Sequence, residues 1–178
     1  MDKLIKYVEF KDFQKLYSRC KNKKLRLSIL LGFGSGLRIS EIVGFKRRDG
    51  SIIPPLTSEN VDLSKHQIKI INAKGKKWRI TITPPLLNES MLKLLPLKIK
   101  RRTLQYQFKV LSKKVLNKNL SFHSLRHGFG NYQANVLKIP LPIVQGLMGH
   151  SRLDTTGIYT KVNPEHAIKT SWEAMTKL

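Results

Sequence analysis

The sequence predicts a mainly α-helical fold carrying one small antiparallel β-sheet, an α+β domain. Three observations predict it. Apolar residues recur at helical spacing over most of the 178 residues, strict alternation is confined to 67–71 and 78–83, and a lysine-rich turn containing Gly75 separates those two runs. A chain of this length with 40% apolar residues buries a core of its own, so residues 1–178 are expected to form a single domain.

Taken in order, residues 9–20 place Phe10, Phe13, Leu16 and Tyr17 on one helical face, and residues 23–33 do the same with Leu27, Leu30 and Leu31. Gly32, Gly34 and Gly36 interrupt the second pattern, and a new helix starts near Ser40. Residues 46–57, with Arg48-Asp49-Gly50 followed by Pro54-Pro55, read as an exposed loop. Ile68 and Ile70 then alternate with polar residues, as do Ile80 and Ile82, and Lys74-Gly75-Lys76-Lys77 makes the tip of the hairpin between them. Pro84-Pro85 ends the second strand. Helices follow at 86–95 and 104–116, the latter with Leu104, Phe108, Leu111 and Val115 on one face. Residues 124–137 read as one helix, although Gly128 and Gly130 both lower its propensity. A short helix at 142–148 stops at Gly149. Asn163 caps a closing helix that begins at Pro164 and aligns Ile168, Trp172 and Met175.

Thirty-four Lys and Arg against 11 Asp and Glu leave a formal charge of +23. So large an excess repels itself in the compact state, and a polyanion relieves it; a phosphate backbone does so while releasing counterions. Nucleic acid is therefore the expected partner. A membrane is not, because no apolar run approaches the roughly 20 residues a span requires, and the basic residues are scattered rather than gathered on one amphipathic stretch. The N-terminal residues lack the apolar core of a signal peptide. Cys20 is alone, so no internal disulfide forms and a reducing, cytoplasmic setting is expected.

The residues able to carry chemistry are few. His123 and Arg126 stand three apart; at the start of a helix they share a face, where a guanidinium holds a phosphate and an imidazole handles a proton. Taken alone, such a pair is more often an ordinary surface pair. His123 and His127, four apart, are also candidates for a metal that His150 could join, but metal sites normally add further ligands in register and the neighbouring arginines repel a cation. His150 follows a helix-ending Gly, and Tyr159 lies nine residues later; singly they read as a capping histidine and a packed tyrosine. Arg38 follows Gly34 and Gly36, with Glu41 one turn on and able to hold it. Lys74, Lys76, Lys77 and Arg79 surround the hairpin tip, and Lys46, Arg47 and Arg48 lie in the expected loop; both sets suit contacts to DNA phosphates.

Together these elements resemble one enzyme family, the tyrosine recombinases or integrases. The series Arg38, Lys74, His123, Arg126, His150, Tyr159 is similar to that family's complete active-site set. Gly36-Leu37-Arg38-Ile39-Ser40-Glu41 resembles its first arginine box, Ala73-Lys74-Gly75-Lys76 its hairpin lysine, His123-Ser124-Leu125-Arg126-His127 its second box, and Met148-Gly149-His150-Ser151 through Tyr159 its terminal box. The resemblance spans residues 6–176 and is nearest to integrases of archaeal spindle-shaped viruses.

The resemblance implies the family's catalytic-domain fold and site-specific DNA recombination that integrates or excises a viral or mobile genome. It implies Tyr159 as nucleophile, Arg38 and Arg126 on the phosphate, His150 as a further donor, His123 as proton acceptor and Lys74 as general acid. No cofactor, metal or ATP is expected. The expected partner is double-stranded DNA at attachment sites, bound by a homotetramer or, for an isolated domain, a monomer, in the nucleoid of the host cytoplasm. A type IB topoisomerase, a telomere resolvase and a non-catalytic DNA-binding module of the same fold are the alternatives.

Three features depart from the family pattern. Residues 46–57 look inserted, Gly128 stands where a threonine is more usual, and the family's N-terminal DNA-clamping domain is expected to be missing, as in a catalytic domain taken from a longer enzyme.

Overall fold

The computed structural model describes residues 6–71, 78–149 and 164–176. Lys74, Lys76, Lys77, His150 and Tyr159 lie outside the described residues, as does the cap expected at Asn163.

Helix α2 (Lys23–Gly34) is the hub: every residue from Leu27 to Gly34 is buried, which requires neighbours on all sides. Asn22 caps it by accepting from the Leu25 N–H at 3.1 Å. Helix α1 (Phe10–Arg19) covers one side through stacked rings, Phe13 on Phe33 at 4.4 Å and Phe10 on Tyr132 at 4.7 Å. Helix α5 (Arg101–Leu116) packs on α1 and α2 with Leu104 and Phe108 fully buried. An Asp12–Lys118 pair at 2.6 Å ties α1 to the turn after α5.

Helix α3 (Ile39–Val43) leads into a region where the expected loop is replaced by structure. Strands β1 (Phe45–Lys46) and β2 (Ile52–Ile53) form an antiparallel hairpin, closed by Arg47 N–H donating to Ser51 O at 2.8 Å. Two-residue strands are too short to show alternation in a sequence. Lys46, Arg47 and Arg48 are exposed on this hairpin, and Arg101 lies over the Phe45 ring at 4.0 Å.

The second sheet holds β3 (Val61–Asp62), β4 (Gln67–Ile71) and β5 (Trp78–Ile82) in the order β3-β4-β5, all antiparallel. There are thus two small sheets among the described residues, not one, while the expected β4–β5 pairing is present. Helix α4 (Glu89–Leu92) is a single turn where a longer helix was expected: Asn88 caps its start and Pro96 follows closely.

Helix α6 (His123–Asn131) does not run straight to residue 137. It passes into a π-helical turn, Tyr132–Val136, with Leu137 N–H donating back to Tyr132 O at 3.0 Å. Gly128 has a packing reason: a Cβ there would overlap the Val8 carbonyl and sit 2.9 Å from the Phe33 ring. Helix α7 (Leu141–Met148) ends on Gly149 in the left-handed region, and α8 (Pro164–Thr176) packs against α7 and β5. On α8, Ile168 is buried, Trp172 and Met175 pack around the same core, and Trp172 stacks on His66 at 3.5 Å.

Among the described residues the interior has two apolar clusters. One surrounds α2; the other gathers Ile82, Phe129, Ile143, Val144, Leu147 and Ile168 from β5, α6, α7 and α8. Helix α6 serves both, with Leu125 in the first and Phe129 in the second. The loop from α2 to α3 and the end of α7 meet beside it. No described helix is long and apolar enough to cross a membrane.

Candidate active site

The site is built on the turn Ser35-Gly36-Leu37 between α2 and α3. The N–H groups of Ser35 and Leu37 both donate to Leu31 O, at 3.2 and 3.3 Å, folding the chain sharply at the helix end. Gly36 makes that fold possible: its φ is +64°, and a Cβ would stand 2.6 Å from the Phe129 ring. Thr81 of β5 donates to Ser35 O at 2.8 Å, and Arg126 of α6 donates through Nη1 to Gly36 O. Two separate elements therefore hold the backbone just before Arg38.

Arg38 caps α3, and Glu41 reaches back to it twice, accepting from Arg38 N–H (Oε2, 2.8 Å) and from Arg38 Nη1 (Oε1, 2.9 Å). Arg38 keeps 39% of its side chain exposed whereas Glu41 keeps 3%, so the guanidinium faces outward from a buried anchor.

Arg79 corrects the sequence expectation. Grouped with the phosphate-facing hairpin cations, it is instead only 8% exposed and turned inward, donating through Nη2 to Glu41 Oε2 at 2.8 Å and through Nη1 to Leu147 O at 2.9 Å. The strand register explains this. Arg79 lies directly opposite Ile70, whose side chain is buried, so both face the interior. The signal available in the sequence is that register: an arginine opposite a strand isoleucine shares its face, and a guanidinium buried there requires a carboxylate from elsewhere in the fold.

Arg126 is 2% exposed and donates through Nη2 to Met148 O. Arg79 and Arg126 thus take two successive carbonyls, Leu147 and Met148, at the C-terminus of α7, where a helix leaves acceptors unpaired and favours cations. Residue 150 follows two positions later. His123 is exposed at the first position of α6, its ring set edge-on to His127 at 4.4 Å; it shares the opening turn with Arg126 but not its burial.

Among the described residues, two guanidiniums, Arg38 and Arg79, share the Glu41 carboxylate, and Arg126, bonded to backbone carbonyls, lies near enough to feel its charge. Burial, with Arg38 and Arg79 nearby, lowers the Arg126 pKa to about 9, against the pull of Glu41. It stays cationic at neutral pH in a region with surplus positive charge. Such a place attracts an anion with several oxygens. No three described His, Cys, Asp or Glu side chains gather as a metal-binding set.

Residues 6–166 match the family model of the phage integrases. The chain belongs to the phage integrase family, the tyrosine recombinases. It is 30% identical over 170 residues to the tyrosine recombinase XerA of Thermococcus kodakarensis, covering 85% of this chain and 56% of that one. The chain thus spans about half the length of that relative. The fold is similar to that of the integrase of mycobacterium phage Brujita (TM-score 0.69, 22% identity, 98% of this chain and 59% of that one). It is also similar to lambda integrase in a dimer bound to a COC′ core site (TM-score 0.58, 13% identity, 92% of this chain and 64% of that one). These likenesses agree with the mainly helical catalytic-domain fold carrying small antiparallel sheets.

Proposed function

We propose that this recombinase-family chain cleaves and rejoins DNA strands through a 3′-phosphotyrosyl intermediate, in the integration or excision of a mobile or viral genome. The observation that carries the reading is the Arg38–Glu41–Arg79 and Arg126 assembly: one exposed guanidinium set rigidly beside a buried cationic reserve. That arrangement suits a phosphodiester whose non-bridging oxygens gain charge as phosphorus becomes five-coordinate.

In this reading Tyr159 Oη attacks phosphorus, the new P–O bond to tyrosine forms, and the P–O5′ bond breaks. His123 accepts the tyrosine proton and Lys74 delivers one to the departing 5′-oxygen, while His150 donates a hydrogen bond to the phosphate. A 5′-hydroxyl of the partner strand then reverses the sequence. Each step exchanges one phosphodiester for another, so no ATP is consumed. The partner is attachment-site duplex DNA; lambda integrase, a fold neighbour, was solved on a core site, and a tetramer across two duplexes is the working assembly.

The test is covalent capture on a nicked suicide duplex, run in EDTA. Wild type is expected to accumulate a protein–DNA adduct and Tyr159→Phe to bind the same DNA without forming it. An adduct in the variant would assign the nucleophile elsewhere.

A further inference from the structure

Among the described residues, the side-chain hydrogen bonds of Arg79 are directed into the fold, and together they join three parts of the site. Its Nη2 shares Glu41 Oε2 with the Arg38 N–H, and its Nη1 holds Leu147 O in the last turn of α7. Its aliphatic stem lies under Gly149, where a Cβ would approach Nε to 2.6 Å and overlap Cδ. Burying this guanidinium is costly: Nε has no hydrogen-bond partner among the described residues, and desolvation lowers its pKa despite Glu41. A carboxylate held by Arg38 alone, on a helix of five residues, could rotate with it. Held from behind by Arg79, Glu41 becomes a fixed stop for the Arg38 guanidinium.

The geometry points to Arg79 as a positioning residue for strand cleavage. It sets Arg38, through Glu41, in register with the end of α7 from which residue 150 follows. It does not touch DNA; it acts on the phosphate only through Arg38 and the α7 terminus. Lysine is no substitute, because one ammonium on a flexible stem does not span Glu41 and the Leu147 carbonyl with the fixed fork of a guanidinium. The inference rests on the recombinase reading of the site.

The experiment compares two scissile linkages under single-turnover conditions with saturating protein: an ordinary phosphodiester, and a methylphosphonate in which one non-bridging oxygen is a methyl group. The second carries one negative charge fewer, so it depends less on an aligned Arg38. Two variants are used, Arg79→Lys and the double variant Arg79→Met/Glu41→Gln. The double variant removes both buried charges together, and ratios are read on whichever melts cooperatively. A misplaced positioning group costs about 10²-fold in rate. Arg79→Lys, which keeps Glu41 in place, is therefore expected to form adduct on the phosphodiester about 10²-fold more slowly than wild type, yet to come within a few-fold on the methylphosphonate, and the double variant to show the same pattern. An equal loss on both linkages would make Arg79 a general fold element and overturn the inference, as would no loss on either. If wild type itself makes no adduct on the phosphodiester, the recombinase reading fails and this inference with it.

Discussion

Glu41 and Arg79 form an ion pair at 2.8 Å, with 3% and 8% of their side chains exposed, and the pair joins β5 to the first arginine box. Both charges have left water, so each depends on the other. The Arg38 guanidinium, on the other Glu41 oxygen, is open enough to solvent to recover hydration if the carboxylate is lost. Arg79 is not. The same pair that orders the site is therefore a sensitive point of the fold.

Glu41→Gln should expose that sensitivity. The amide keeps the volume but sets an N–H₂ donor against a guanidinium and leaves Arg79 buried without a counter-charge. Breaking a buried pair from one side costs about 3–5 kcal/mol, whereas removing both charges is often close to neutral. Urea denaturation is expected to show Glu41→Gln destabilised by about that amount and Arg79→Met/Glu41→Gln recovering much of it. A double variant no more stable than Glu41→Gln would mean that the pair is not the source of the loss.

Sequence periodicity located the long elements and missed the short ones for one reason. Helices α1, α2 and α5 repeat their apolar residues over several turns, so their faces are legible before any packing is known. Strands β1, β2 and β3 have two residues each and exist because their partners do. The site divides in the same way. The Arg38–Glu41 contact is readable because residues three apart on a helix meet. The Arg79–Glu41 and Arg126–Gly36 contacts join residues 38 and 90 positions apart, which only the folded chain brings together. The charge of Arg79 groups it with the hairpin lysines in the sequence, while its register opposite Ile70 decides its direction in the fold.

His127 gives the fold a dependence on pH. Its partial burial, and then the Arg126 charge beside it, lower its pKa below the ordinary 6.5. Between the lowered value and 6.5 the unfolded chain carries more protons than the folded one, so stability rises with pH across that window and is lost as pH falls through it. Melting temperatures measured from pH 8 to pH 5 should fall below 6.5 in wild type and fall less steeply in His127→Gln. Identical slopes would remove His127 from the account.

The last prediction isolates Lys74, placed by its motif at the hairpin tip. If its ammonium protonates the departing 5′-oxygen, Lys74→Ala binds DNA normally but cleaves it slowly, by the roughly 10²–10⁴-fold that a general acid contributes. Replacing the bridging 5′-oxygen with sulfur separates this role from simple phosphate binding, because a thiolate departs without needing a proton. Lys74→Ala should then recover most of its cleavage on the sulfur-bridged strand. Arg126→Ala should not, since the charge on the non-bridging oxygens still has to be met and the Gly36 and Met148 carbonyls have lost their donor. Single-turnover adduct formation on the two strands measures both. Equal Lys74→Ala defects on oxygen and sulfur would make Lys74 one more phosphate contact on a basic loop and move the proton to Lys76, Lys77 or water.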